Sequence, residues 1–197
     1  MATVALLAVS GCGGSNTSSP PTGVSSVPAS PSPTTSTTDT TGIDPLVGAA
    51  TTPVEAAATG SDTALLERIA VGRHEGYDRV VFQFQNGLPG YKVEYVQPPL
   101  KEDGSGKPVS VKGSAIVSVR MEPASGFDLN TGEGVLVYKG AKQIDGTSAG
   151  TSVVQQLVRT GDFEAVLSWA IGLSDRVDFR VTTATSPDRL IVDFRNH

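Results

Sequence analysis

One cysteine, two histidines and one tryptophan are all that 197 residues hold of these three types. With Cys12 alone, no disulfide can close within the chain, so a fold must rest on its core. With only His74 and His197, no His-rich metal set is available. A Ser-His-Asp arrangement would have to use His74, and a surface or hydrogen-bonding role is the plainer reading of both histidines. No phosphate-cradling glycine loop is present. No uncharged stretch reaches the roughly 20 residues a membrane-spanning helix needs. Lysine and arginine are missing before Arg68, and aromatics before Tyr77. The expectation from these gaps is a protein that is not an enzyme, with no catalytic residues, no metal and no cofactor.

What is there begins with that single cysteine. Cys12 closes Val9-Ser10-Gly11-Cys12, directly after the apolar run Val4-Ala5-Leu6-Leu7-Ala8. An aliphatic residue, two small residues and a cysteine make a bacterial lipobox. Small side chains fit the narrow groove of a signal peptidase, and the thiol then takes a diacylglycerol. The pattern predicts a lipoprotein signal peptide over residues 1–11 and lipidation at Cys12. It places the protein on the outer face of the cell membrane, where two acyl chains give stable anchoring. A signal also needs a basic segment before its apolar core. None precedes this one, which predicts that the reading frame extends upstream.

Residues 12–60 read as the lipidated cysteine and a disordered linker. Of the 48 residues from 13 to 60, 26 are Ser, Thr or Pro, too polar a composition to bury the surface that would offset its ordering entropy. As a flexible coil it would span roughly 40 Å, a tether suited to reaching from a membrane into a wall. Residues 61–197 then form one domain by size. All 15 Lys and Arg lie in it, against 17 of the 20 acidic residues, for a net charge of −2. That balance excludes a general nucleic-acid binder, which needs a basic footprint, and leaves room for a local basic stripe.

The domain alternates with period two, the mark of half-buried strands. Val80, Phe82 and Phe84 alternate with Arg79, Val81 and Gln83. Tyr91, Val93 and Tyr95 do the same, as do Ala115 through Met121 and Val177 through Val181. Phe163, Ala165, Leu167, Trp169 and Ile171 form the longest apolar face, and the reading joins two strands through a turn at Gly161-Asp162. Residues 123–151 read as a long insertion between strands. Short strands, Gly-rich turns and no clear helix predict an all-β fold, a single β-sandwich following the Ser/Thr/Pro-rich linker.

There is an internal echo. Tyr77-Asp78-Arg79-Val80-Val81-Phe82-Gln83-Phe84 matches Pro187-Asp188-Arg189-Leu190-Ile191-Val192-Asp193-Phe194. Two equivalent strands of a pseudo-symmetric sandwich would produce it. If the domain binds a glycan, aromatic faces beside polar side chains are the means. The candidate ligand-binding residues are Arg79, Arg189, Tyr77 and Arg180. Tyr91, Tyr95 and Trp169 fall on apolar faces and read as core. Arg79 and Arg189, each following an aspartate at a strand start, also read as ion-pairing residues at a sheet edge.

Five ordered elements resemble the AMIN-like domain of actinobacterial lipoproteins, a relative of the AMIN domain. They are Gly76–Phe82, Pro89-Gly90-Tyr91 with Tyr95-Val96, Gly161–Glu164, Ile171-Gly172-Leu173, and Pro187–Asp193. One departure is Ala165, where the family pattern tends to have glycine after Phe-Glu. AMIN domains accompany cell-wall amidases and secretins. The resemblance implies a wall-facing β-sandwich that binds peptidoglycan, with the membrane as a further partner through Cys12. The alternative it leaves open is a protein-interaction module that recruits envelope enzymes.

Overall fold

The computed structural model describes residues 44–130 and 134–197. The signal segment 1–11, Cys12, the linker through residue 43 and residues 131–133 lie outside the described residues. The long strands are β1 (Ala64–His74), β2 (Tyr77–Gln85), β3 (Gly90–Val96), β4 (Ala115–Glu122), β5 (Val154–Phe163), β6 (Val166–Leu173), β7 (Phe179–Ala184) and β8 (Asp188–Arg195). Among the described residues, the helical content is one 3-10 turn at Thr147–Ala149.

The strands form two packed sheets, as the alternation predicts. One runs β7-β8-β2-β1, with Ala124–Ser125 added in parallel beside β1. The other runs β3-β4-β6-β5, edged by Val54–Ala56 and by Gln143–Asp145. Val80, Phe82, Phe84, Leu190, Val192 and Phe194 on the first sheet share one buried core with Val93, Val117, Val119, Met121, Leu167, Trp169, Ile171 and Leu173 on the second. Each such side chain contributes about 1.5–3 kcal/mol by leaving water. Trp169 is at the centre, tilted against Phe82 and edge-on to Tyr138, and its role as a core residue is borne out.

The echoed strands β2 and β8 are neighbours and run antiparallel. Val81 stands opposite Ile191, Arg79 opposite Asp193, and Gln83 opposite Arg189. A local twofold axis through the Val81–Ile191 pair therefore exchanges the two copies.

The structure departs from the sequence reading in three places. First, the hairpin turn between β5 and β6 lies at Glu164-Ala165, both with positive φ (50° and 58°), a primed two-residue turn. A bulge between Arg159 and Gly161 carries β5 past the turn expected at Gly161-Asp162. The extra residue flips the alternation, so Phe163 points outward, 57 % exposed. Second, the linker does not run to residue 60. Leu46 is fully buried, Ala50 bridges Phe179, and Val54–Ala56 pairs with β3. The Ser/Thr/Pro count hid these few apolar residues, which have a groove to fill. Third, the 123–151 stretch is built rather than merely inserted. It adds a strand to each sheet and lends Tyr138 to the core.

Candidate functional site

The outward face of the β7-β8-β2-β1 sheet carries all four candidate ligand-binding residues. Across these strands the register sets three rows. The first is Arg180, Asp193, Arg79 and Gly72. The middle one is Thr182, Ile191, Val81 and Ala70. The third is Ala184, Arg189, Gln83 and Arg68. Two arginine rows thus flank a strip of small and apolar side chains, separated by four residues along the strand, roughly 13 Å.

The first row is a clamp. Arg79 donates from Nε to Asp193 Oδ1 at 2.7 Å and from Nη2 to Oδ2 at 2.9 Å. Arg180 donates from Nη2 to the same Oδ2 at 3.1 Å. The Asp193 side chain is fully buried beneath these two arginines, whose own side chains are each 29 % exposed. Its hydrogen bonds raise the Arg79 pKa, against the opposing effect of burial. The Arg79 guanidinium also lies 5.0 Å from the centre of the Tyr77 ring, and Tyr77 stacks on His74 at 4.8 Å. Tyr77, Arg79 and Arg180 are thereby gathered at one end of the face, with Arg189 at the other.

The third row is open. The Arg189 Nε donates only to the Pro187 carbonyl, at 3.3 Å. Gln83 is engaged by Glu67 at 2.9 Å. Arg68 is exposed. Among the described residues neither Arg68 nor Arg189 has an ion pair. The twofold exchanges Arg79 with Arg189 and Arg180 with Arg68, so the two ends differ chiefly in Asp193 against Gln83. The expectation of sheet-edge ion pairs is corrected accordingly. β2 and β8 are inner strands, Arg79 pairs across them, and Arg189 does not pair.

The sequence reading passed over Asp193 and Arg68, and gave His74 only a surface or hydrogen-bonding role. For Asp193 a signal existed, since it is the echo position where one copy is charged and the other is not. Tyr91 and Tyr95 are half-buried against the core, as read. The Tyr95 hydroxyl donates to the Val177 carbonyl at 2.7 Å and accepts from the Val177 N–H at 3.0 Å.

Gly146-Thr147-Ser148-Ala149-Gly150 fits the G-x-S-x-G pattern of a nucleophile elbow, and the sequence reading overlooked it. Its context does not fit. Asp145 Oδ1 accepts from Thr147 N at 3.0 Å and Ser148 N at 3.4 Å, an Asx turn, and Ser148 Oγ has no hydrogen bond among the described residues. Nor, among the described residues, do three or more His, Cys, Asp or Glu converge as metal ligands.

The family model of the AMIN-like domain matches residues 64–196, from the first residue of β1 to one residue past β8. The chain belongs to the AMIN-like domain family. Compared with curated proteins and with solved structures, it has no match. Membership in the AMIN-like family marks the domain as a cell-wall-related binding or interaction module, and AMIN-like domains are typically non-catalytic. The departure at Ala165 also gains an explanation. The position has φ 58°, where glycine is the residue without steric cost.

Proposed function

We propose that this AMIN-like domain is a non-catalytic anchor that grips peptidoglycan through the outward face of the β7-β8-β2-β1 sheet, while lipid on Cys12 holds the protein to the outer face of the cell membrane. The observation that carries this reading is the pair of arginine rows about an apolar strip, one row already paired to Asp193 and the other unpaired. Guanidinium groups fork onto carboxylates, which the peptide stems of a wall polymer supply. The strip of Val81, Ile191 and Ala70 accepts the apolar face of a sugar ring. The clamped row holds its shape without ligand, and the open row has donors to spend.

The test is co-sedimentation of the full chain, carrying Cys12→Ser to remove any lipid contribution, with isolated wall sacculi. Arg68→Ala with Arg189→Ala is the informative variant, because both side chains lack ion pairs and their loss leaves no buried charge behind. Arg79→Ala would uncover Asp193 and confuse binding with folding. Retention should fall at least about tenfold, equivalent to ~1.4 kcal/mol. Unchanged retention in a folded double variant overturns the proposal.

A second reading has its own observation. Phe127, Val135 and Leu136 expose apolar surface on one short ribbon, with the exposed Leu129 directly after its first strand, which suits a protein partner, such as a recruited envelope enzyme. Failure to sediment, together with capture of a partner that Leu129→Ser abolishes, would favour it.

A further inference from the structure

A second cleft lies away from the arginine face, at the open end of β5. It encloses about 510 Å³ between the loop Glu102–Ser105 on one side and Phe127 and Lys142 on the other, with Arg159, Gly161, Asp162 and Phe163 of β5 completing it. That size is ordinary for a small-ligand site, for which roughly 300–1,000 Å³ is typical.

Its floor is built by the β5 bulge. In a regular strand, residues three apart point to opposite faces. The extra residue between Arg159 and Gly161 puts Arg159 and Asp162 on the same face. They pair at 3.2 Å, with side chains only 12 % and 6 % exposed. Asp162 is itself fixed by the Ser125 hydroxyl at 2.8 Å and the Gly126 N–H at 3.1 Å. Arg159 is therefore held in place through one nitrogen. Its remaining N–H groups have no acceptor among the described residues.

The opposite wall carries the other charge. Asp103 is anchored by its backbone N–H to the Thr160 carbonyl at 2.8 Å. Its carboxylate lies against Gly161 so closely that a Cβ there would collide with Oδ2. Glycine at 161 makes this approach possible. Among the described residues no donor engages the Asp103 carboxylate. The Glu102 carboxylate beside it accepts from the Ser105 hydroxyl at 2.6 Å. Two phenyl rings frame the opening, Phe163 at 57 % exposure and Phe127 at 36 %. Rings left in water forgo the stabilisation that burial would give, and a ligand lying between them recovers it.

We infer that this cleft binds a short peptide with both ends free, a zwitterion. Its carboxylate pairs with Arg159 and Lys142, its ammonium with Asp103 and Glu102, and an apolar side chain sits between Phe127 and Phe163. A plain anion would meet the carboxylates of Glu102 and Asp103, beside the Asp162 already paired to Arg159, and a plain cation would meet Lys142 and Arg159. Only a ligand carrying both charges satisfies both walls. The inference is independent of the arginine face, which lies on the other sheet.

The test is calorimetric titration of the full chain with the tripeptide alanyl-leucyl-alanine, free at both ends, and with its N-acetylated and C-amidated forms. Each blocked form should bind at least about tenfold more weakly. Asp103→Asn should abolish the penalty for acetylation while keeping the penalty for amidation. Lys142→Gln and Arg159→Gln should do the reverse. Phe163→Ser should weaken all forms. Should Arg159→Gln fail to fold, the exposed Asp103 and Lys142 carry the comparison alone. Arg189→Ala should leave the titration unchanged. Equal binding of the free peptide and either blocked form, or no saturable binding of the free form, overturns the inference.

Discussion

Asp193 is a fully buried carboxylate on what would otherwise be a solvated sheet face, and two arginines make that burial tolerable. Removing one partner of such a cluster leaves an uncompensated charge, which costs far more than the pair contributes. Its counterpart Gln83 carries no charge, so the opposite end of the face keeps two unsatisfied cations. Ala165 is a second residue whose surroundings matter more than its type. At φ 58° an alanine Cβ crowds the backbone by about 1–2 kcal/mol. Ala165→Gly should therefore stabilise the domain by up to about 1 kcal/mol, less the entropy of a freer unfolded chain. Urea titration checks this, and a lower midpoint would show that the turn carries no strain at this position.

The segment from Asp44 to Ala50 behaves as an element of its own. Arg195 holds Asp44 through two hydrogen bonds, each at 3.0 Å, Leu46 is buried, and Ala50 exchanges backbone hydrogen bonds with Phe179. Pro45 packs on Gly76 at the β1–β2 turn, where a Cβ would fall 2.8 Å from its ring. The Arg195 hydrogen bond, aided by the Leu46 N–H, lowers the Asp44 pKa. A lowered carboxylate pKa stabilises the docked form above the ordinary value of about 3.9. That contribution fades as pH falls through the lowered value. Amide protection at Ala50 should accordingly drop in acid before protection at Val192 does. Asp44→Asn should show the reduced Ala50 protection already at neutral pH. If the variant matches the parent there, Leu46 burial rather than the ion pair holds the segment.

At the scale of the molecule, charge is segregated rather than abundant. The chain is acidic, with a net charge of −5, yet one sheet face gathers Arg68, Arg79, Arg180 and Arg189 around a single buried aspartate. Such a face attracts acidic groups at short range and is screened beyond a Debye length of about 8–10 Å. Gln83→Asp would install at the open row what Asp193 supplies at the clamped one. It should weaken retention on sacculi severalfold in low salt, with a smaller difference in moderate salt. Undiminished retention at low salt would mean that the open row is not the contact surface.

The sequence by itself determined the strand class, the alternation of the half-buried strands, the Trp169 core position and the equivalence of the echoed segments. These follow from period-two alternation, which needs only local chain geometry. It also brought forward Arg79 and Arg189, because arginine at an outward position of an echoed strand is visible without a fold. Register and chain reversal were decided by the tertiary structure. Arg79 meets Asp193 across 114 residues, and a single bulge sends Phe163 outward and Arg159 beside Asp162. Asp103 comes to lie on Gly161 from a separate loop, and Leu46 finds its groove only once β7 and β8 exist. Each of these depends on which residues become opposite one another, and a one-residue shift in pairing moves a side chain to the other face.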